Sequence, residues 1–348
     1  MLLTQRTLPD RAAFHYNRGN RLRGQGEFEA AIQSYYKSLQ INPENADTFY
    51  NLGLSLQENR DIEKAIESYD RALSIKPDYQ PARSQKLHQK ARICNWIGIE
   101  NDKKLMLKIG TNTQEIVPFG HLALEDCPNR HRLRSELYSN NTYHQRPLSI
   151  ISRPLEKPER LRIGYFSSDF CEHPVAYLIA KMLELHDRKH FKVYGYSIGS
   201  TKDDEMRKRL KKAFDVFHDV KDKDDKDITL LARQDKIDIA IDLNGYTRNN
   251  RSAIFAYRAA PVQINYLGYP GTMGRFADFI IVDKLSVPPD DVTNEVSEFV
   301  VYLPHHYQAN DFPLTVDLFE YEHDYLKTNG DGDAWPLGVQ DPVMKQKN

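Results

Sequence analysis

A histidine closes a short polar run, Ser167-Ser168-Asp169-Phe170-Cys171-Glu172-His173, and Pro174 comes directly after it. The residues before the run, LRIGYFS (161–167), read as a buried strand, and Val175, Leu178, Ile179, Met182 and Leu183 after it recur at helical spacing. Pro174 then occupies the first helical position, where its missing N–H costs nothing. An imidazole held just ahead of a helix N-terminus can accept or donate a proton, and the helix end itself favours negative charge. Two other stretches carry similar turns: Asn244-Gly245-Tyr246-Thr247 at the end of IDIAIDLNGYT, and Leu267-Gly268-Tyr269-Pro270-Gly271-Thr272 leading into Met273-Gly274. Glycines in such turns allow close backbone approach, and backbone N–H groups there favour phosphate or another anion. Each stretch also has a structural reading: a capping histidine, an N-cap threonine, a plain turn.

The elements that would bring these turns together come from the texture of residues 159–313. Apolar runs at 161–167, 191–199, 215–220, 237–245, 262–269, 278–285 and 298–304 read as strands. Helical patterns at 175–187, 203–213, 226–234 and 249–258 separate the first five. Alternating β and α elements imply a parallel sheet covered on both faces, a Rossmann-like lobe. All strands of such a sheet end on one edge, so the three turns are expected to converge on one crevice open to solvent. No GxGxxG comes after the first strand and no GxxxxGK[ST] occurs, which excludes the common dinucleotide and P-loop signatures. The acidic run 221–227 reads as a solvated turn, and NGDGD (329–333) lacks calcium-loop spacing, so no metal and no cofactor are expected.

The first part of the chain is different. Residues 12–45 and 46–79 match at a spacing of 34: Gly19 with Gly53, Ala31 with Ala65, Tyr35 with Tyr69, Pro43 with Pro77. This is the period of the tetratricopeptide repeat, two antiparallel helices per unit. The glycines and alanines let helices approach, the tyrosines are expected to fill the gap between neighbouring repeats, and the prolines end the second helix. At the third unit Leu87 replaces the glycine, so the stretch to residue 97 reads as a capping helix that must pack on the segment C-terminal to it. Residues 98–158, broken by Pro118, Pro128, Pro147, Pro154 and Pro158, read as a connector with helices near 103–109 and 131–138. The fold class is thus α plus α/β, with an N-terminal tail at 1–11 and a divergent tail at 314–348.

Formal net charge is −1 over 348 residues, which argues against nucleic acid or an anionic membrane as partner. Three separated cysteines give neither a disulfide framework nor a zinc signature. No apolar run approaches a membrane span and the first residues lack a secretory core, so a cytoplasmic location is expected. The repeats point to protein substrates or partners.

In order along the chain come the repeats, CNW (94–96), LRIGYFSSDFCEHPVAYLI, IDIAIDLNGYT, APVQINYLGYPGTMG, DFIIVDKLSVPP and YLPHHYQANDF. Residues from about 12 to 313 in this order resemble the SPINDLY-type protein O-GlcNAc transferase family. The resemblance implies a two-lobed, metal-independent inverting glycosyltransferase that moves N-acetylglucosamine from UDP-GlcNAc to Ser or Thr of proteins. It implies His173 as the catalytic histidine, with Asp169, the NGYT residues 244–247 and the LGYPGT residues 267–272 on the substrate side. Plant relatives that use GDP-fucose keep an O-fucosyltransferase reading open. Arg233 stands where animal members carry a second histidine. After Asp311 the strand–helix alternation expected of a second, nucleotide-binding lobe is not visible. The expectation is a truncated member that binds nucleotide sugar when a second lobe is supplied, or else a non-catalytic, repeat-containing binding remnant.

Overall fold

The computed structural model describes residues 8–98, 104–112, 116–148, 158–199 and 201–311. The expected tail at 314–348 and the first seven residues lie outside them, as do parts of the connector. Five helices open the chain: α1 (Leu8–Gly24), α2 (Phe28–Ile41), α3 (Ala46–Glu58), α4 (Ile62–Ile75) and α5 (Gln80–Arg92). They pack as two helical hairpins and a cap around Leu22, Ile32, Leu52, Leu56 and Leu73. Asn45 caps α3, its side chain accepting from the Thr48 N–H at 2.8 Å.

The tyrosines sit inside the array, and Tyr35 also faces Ser55 of the next repeat. Each lies against the glycine of its own repeat, fully buried. A Cβ on Gly53 would come within 2.4 Å of Tyr69 Cε1, and one on Gly19 within 2.5 Å of Tyr35 Cε1. The glycine is therefore the socket for a ring in the partner helix. Gly53→Ala should destabilise the array by about 1–3 kcal/mol through overpacking, and Gly53→Ala with Tyr69→Leu should recover part of that loss in a thermal melt.

Leu87 does what the capping reading requires. It is buried with Met106, Ile109 and Ile116, which ties α5 to the connector. The connector's main helix runs Pro128–Thr142, longer at both ends than the sequence indicated. Its centre is an arginine, Arg134, with no exposed surface. Arg134 Nε donates to Ile109 O at 2.6 Å, and one terminal nitrogen donates to Met106 O at 3.1 Å and to Glu125 Oε2 at 2.7 Å. Outward from the same helix, Ser135 Oγ lies 2.6 Å from Tyr269 Oη, so the connector reaches the lobe's loops. Arg248 and Glu58 form an ion pair that joins the lobe to α3 directly.

The lobe is one parallel sheet of seven strands: β1 (Leu161–Ser167), β2 (Phe191–Ser197), β3 (Val216–Asp219), β4 (Ile239–Asp242), β5 (Val262–Tyr266), β6 (Phe279–Val282) and β7 (Phe299–Tyr302). Their order is β3-β2-β1-β4-β5-β6-β7. The helices Pro174–Glu184 and Glu205–Ala213 cover one face around Ile163, Tyr165, Ile179 and Leu210. Asp225–Gln234 and the short Ala253–Ala256 helix cover the other around Phe166, Tyr196, Ile228 and Ile254. The chain builds outward from β1 in one direction, then returns and builds outward from β4 in the other. The carboxyl ends of β1 and β4 are therefore the switch point at which doubly wound sheets hold ligands.

Two boundaries differ from the sequence reading. Most strands are shorter, because side chains turn the chain out of the sheet. Asp242 takes the N–H groups of Asn244 and Gly245, and Asp283 takes those of Leu285 and Ser286. The helix expected at 249–258 shrinks to four residues: Asn249 has φ +61°, and Asn250 Nδ2 donates to Thr247 O at 2.7 Å. No described helix is long and apolar enough to cross a membrane.

Candidate functional site

His173 is the N-cap residue of the Pro174–Glu184 helix, at the carboxyl end of β1. Its backbone is extended (φ −150°, ψ 147°), and its Nδ1 accepts from the Val175 N–H at 3.3 Å. That bond consumes the Nδ1 lone pair, so in the neutral ring the proton sits on Nε2. The side chain is 42% exposed, and Nδ1 lies 3.8 Å from Asp169 Oδ2. The site thus offers an exposed imidazole N–H to an anion, beside a helix N-terminus whose dipole favours negative charge.

Asp169 belongs to a closed network across the β1/β4 junction. Ser168 Oγ donates to Asp169 Oδ1 at 2.8 Å, while Asn244 Nδ2 donates to Asp169 Oδ2 and to Ser168 Oγ, each at 2.8 Å. Asn244 Oδ1 accepts from the Ser168 N–H at 2.7 Å, and Thr247 Oγ1 donates to Asn244 O at 2.9 Å. The buried Asn244 side chain is fully engaged in binding one loop to the other. Beneath them, buried Arg207 donates to Phe170 O and Ser197 Oγ, each at 3.0 Å, and pairs with Asp219. A Cβ on Gly199 would fall 2.3 Å from Ser168 O, so the next loop presses on the first.

Several of the residues expected on the substrate side are buried. Tyr246 is buried, its hydroxyl donating to Met273 O at 2.8 Å. Tyr269 is buried against the connector through Ser135. Thr272 is buried and donates to Glu298, whose carboxylate also accepts from the Met273 N–H. Leu267 is buried at φ +73°, a costly conformation for a residue with a Cβ. The glycines serve contact between loops: a Cβ on Gly268 would meet Leu243 O at 2.0 Å, one on Gly245 (φ +55°) Tyr269 Cβ at 2.4 Å, and one on Gly271 the Tyr269 ring at 2.8 Å. The 267–272 loop is thus not an open wall. The connector helix covers it, and Pro270 is its exposed tip. Asp169, His173 and Thr247 are the candidate side chains that keep some surface at the junction. Arg233 donates to Arg258 O at 2.9 Å and Tyr257 O at 3.1 Å, ahead of β4 and so at the opposite edge of the sheet.

Several organising residues escaped sequence reading. Glu298 is buried, which pushes its carboxyl up, and it anchors the GTMG turn. Asp242 is buried at the end of β4, where desolvation pushes its carboxyl up to about 6. Asn265 on β5 donates to Tyr269 O at 3.2 Å and Gly271 O at 2.8 Å. Their visible sign was a polar residue at an inward position of an apolar strand. Among the described residues, no group of three or more His, Cys, Asp or Glu side chains is arranged to hold a metal ion.

A doubly wound sheet with an exposed imidazole and a helix N-terminus at its switch point has the layout in which such folds bind ligands. Residues 111–325 match the model of glycosyl transferase family 41, and the chain belongs to that family. Residues 19–59 match a TPR repeat model and 46–79 a tetratricopeptide repeat model. A relative from Arabidopsis thaliana, named probable UDP-N-acetylglucosamine--peptide N-acetylglucosaminyltransferase SEC, is 39% identical over 155 residues, covering 44% of this chain and 16% of its own. A Caenorhabditis elegans protein named UDP-N-acetylglucosamine--peptide N-acetylglucosaminyltransferase is 37% identical over 160 residues, 45% of this chain and 14% of its own. The chain therefore matches about a sixth of the length of these curated relatives. A solved mutant of the Thermobaculum terrenum O-GlcNAc transferase superposes with a TM-score of 0.57 at 26% identity, over 88% of this chain and 53% of that one.

Proposed function

We propose that this lobe supplies one wall of the active cleft of a protein O-GlcNAc transferase, and that the repeats present protein substrates to it. The observation that carries the reading is the placement of His173, exposed at the β1/β4 switch point and capping a helix whose N-terminus faces the same edge. In an inverting transfer, a Ser or Thr hydroxyl oxygen attacks the sugar's anomeric carbon as the bond to the phosphate oxygen breaks. The electron pair leaves with the nucleoside diphosphate, and the hydroxyl proton passes to the departing phosphate oxygen or to water. Charge therefore builds on the diphosphate, where donors fixed in advance are most effective. His173 Nε2–H supplies such a donor, and the positive end of the helix dipole acts in the same direction. With Nδ1 engaged by Val175, the geometry favours His173 as a donor to the leaving group over His173 as the base.

The test replaces His173 in this chain, assayed for transfer from UDP-GlcNAc with a family relative's nucleotide-binding lobe added. His173→Ala should lower the rate by roughly 100-fold, the usual cost of one such donor. His173→Gln, which keeps an N–H donor but no basic nitrogen, should recover a measurable part. Equal loss in both variants would favour the base role instead, and an unchanged rate in both would remove His173 from the chemistry. Transfer from GDP-fucose in place of UDP-GlcNAc would assign the fucosyl reading. A second, non-catalytic reading draws on the burial of Tyr246, Leu267, Tyr269 and Thr272, which are spent on packing. In that case the repeats would bind a protein partner while no sugar moves.

A further inference from the structure

Asn265 and Asp242 are register partners on adjacent parallel strands, so their side chains project from the same face of the sheet. Asn265 is fully buried, and its amide orientation is fixed: Nδ2 donates to two carbonyls, Tyr269 O and Gly271 O. That leaves Oδ1 as an acceptor, and it has no hydrogen-bond partner. A buried acceptor left in that state is costly. The neighbouring Asp242 side chain spends Oδ1 on the N–H groups of Asn244 and Gly245, at 2.9 and 3.0 Å.

We propose that Asp242 and Asn265 share a proton: Asp242 in its acid form donates Oδ2–H to Asn265 Oδ1, and the pair positions the loops of the carboxyl edge as one unit. The connection runs through bonds already described. Asn265 holds the LGYPGT loop by two carbonyls, Asp242 holds the NGYT turn by two N–H groups, and Asn244 carries the link on to Ser168 and Asp169. Asp242 acts here as a positioning residue. Its surroundings favour the acid form: Phe166 is its partner on β1, Asn265 its partner on β5, and the Tyr143 phenol approaches from the connector side. Burial raises the carboxyl, and the two backbone N–H bonds only partly oppose that. Its role in catalysis rests on the carboxyl edge being the active site, but the shared proton does not.

The test uses the whole chain without ligand, so its outcome is independent of any sugar-binding result. Infrared difference spectra between aspartate-labelled wild type and Asp242→Asn should show a protonated carboxyl at pH 5 that disappears as pH rises through about 6. The amide of Asp242→Asn keeps the acceptor and offers Asn265 a permanent N–H. That variant should melt with wild type at pH 4.5 and roughly 5–10 °C above it at pH 8, where the wild-type proton is lost. Asp242→Ala should melt below wild type at both values. A carboxylate band for Asp242 at pH 5, or an Asp242→Asn variant less stable than wild type at pH 8, would overturn the proposal. If Asp242→Ala does not fold, the spectra and the asparagine variant still decide it.

Discussion

Replacing Arg134 with alanine is expected to destabilise the chain by about 3–5 kcal/mol, the usual cost of breaking a buried ion pair from one side. Arg134 has no exposed surface, and its guanidinium joins three segments: the carbonyls of Met106 and Ile109, and the carboxylate of Glu125. Removing it leaves both carbonyls without this donor. Glu125 would keep Arg130, but Arg130 is partly exposed and its pairing is screened. A cavity left by the side chain would add to the loss. Because the helix that carries Arg134 also holds Tyr269 through Ser135, the damage should spread to the carboxyl edge. Chemical denaturation would measure the stability, and hydrogen exchange should show the 267–273 loop opening with the connector. Arg134→Lys should rescue little, since one ammonium cannot reach three acceptors in the planar arrangement the guanidinium uses.

Acid sensitivity is the second large effect, and it centres on His121, whose ring feels the Arg134 charge. This ring is buried, both its nitrogens lack hydrogen-bond partners, and it is held neutral. Desolvation is the main cause, with the Arg134 charge reinforcing it, and together they push the imidazole from 6.5 down to about 3. His131 and His88 act in the same direction, while Glu125 opposes them. Below about 6.5 the unfolded chain binds a proton at this ring that the folded chain refuses. Stability should therefore be flat with respect to this group above about 6.5 and fall as pH drops towards 3. The full loss is on the order of 5 kcal/mol. His121→Phe should remove this part of the acid dependence without cost at pH 7.5, since no hydrogen bond is lost. Melting curves of both proteins between pH 4.5 and 7.5 would check it. A variant that stays as acid-sensitive as wild type would place the proton elsewhere.

The repeats were legible because their packing is local and periodic: Gly19, Ala31, Tyr35 and Pro43 recur 34 residues later doing the same work. Which glycine each tyrosine fills was not legible, since spacing alone does not separate contacts within a repeat from contacts between repeats. The parallel sheet was legible from runs such as IDIAID and VQINY, whose burial on both faces leaves few polar positions. Two of the exceptions, Asp242 and Asn265, turned out to organise the loops. NGYT and LGYPGT are turns at the carboxyl edge as their glycines and proline indicated, because these residues report where a chain must bend. They did not report which atoms stay exposed. That depended on Ser135 meeting Tyr269, 134 residues away in sequence, and on Glu298 meeting Thr272. Pairings over such distances leave no pattern in a single sequence. His173 is different: strand, polar turn, histidine and proline specify a capped helix locally, and the imidazole lies where that local geometry puts it.

The central claim is that His173 and the helix it caps face the donor's diphosphate. Nitrogen-15 NMR of the imidazole groups, recorded while millimolar UDP-GlcNAc is added to the chain together with a family relative's nucleotide-binding lobe, tests it most directly. A shift is expected at His173 Nε2 together with the amides of Asp169 to His173, Val175, Ala176 and Thr247, with the Nδ1 signal still that of an acceptor. A titration that leaves His173 unmoved, or that moves signals away from the β1/β4 edge, would contradict it.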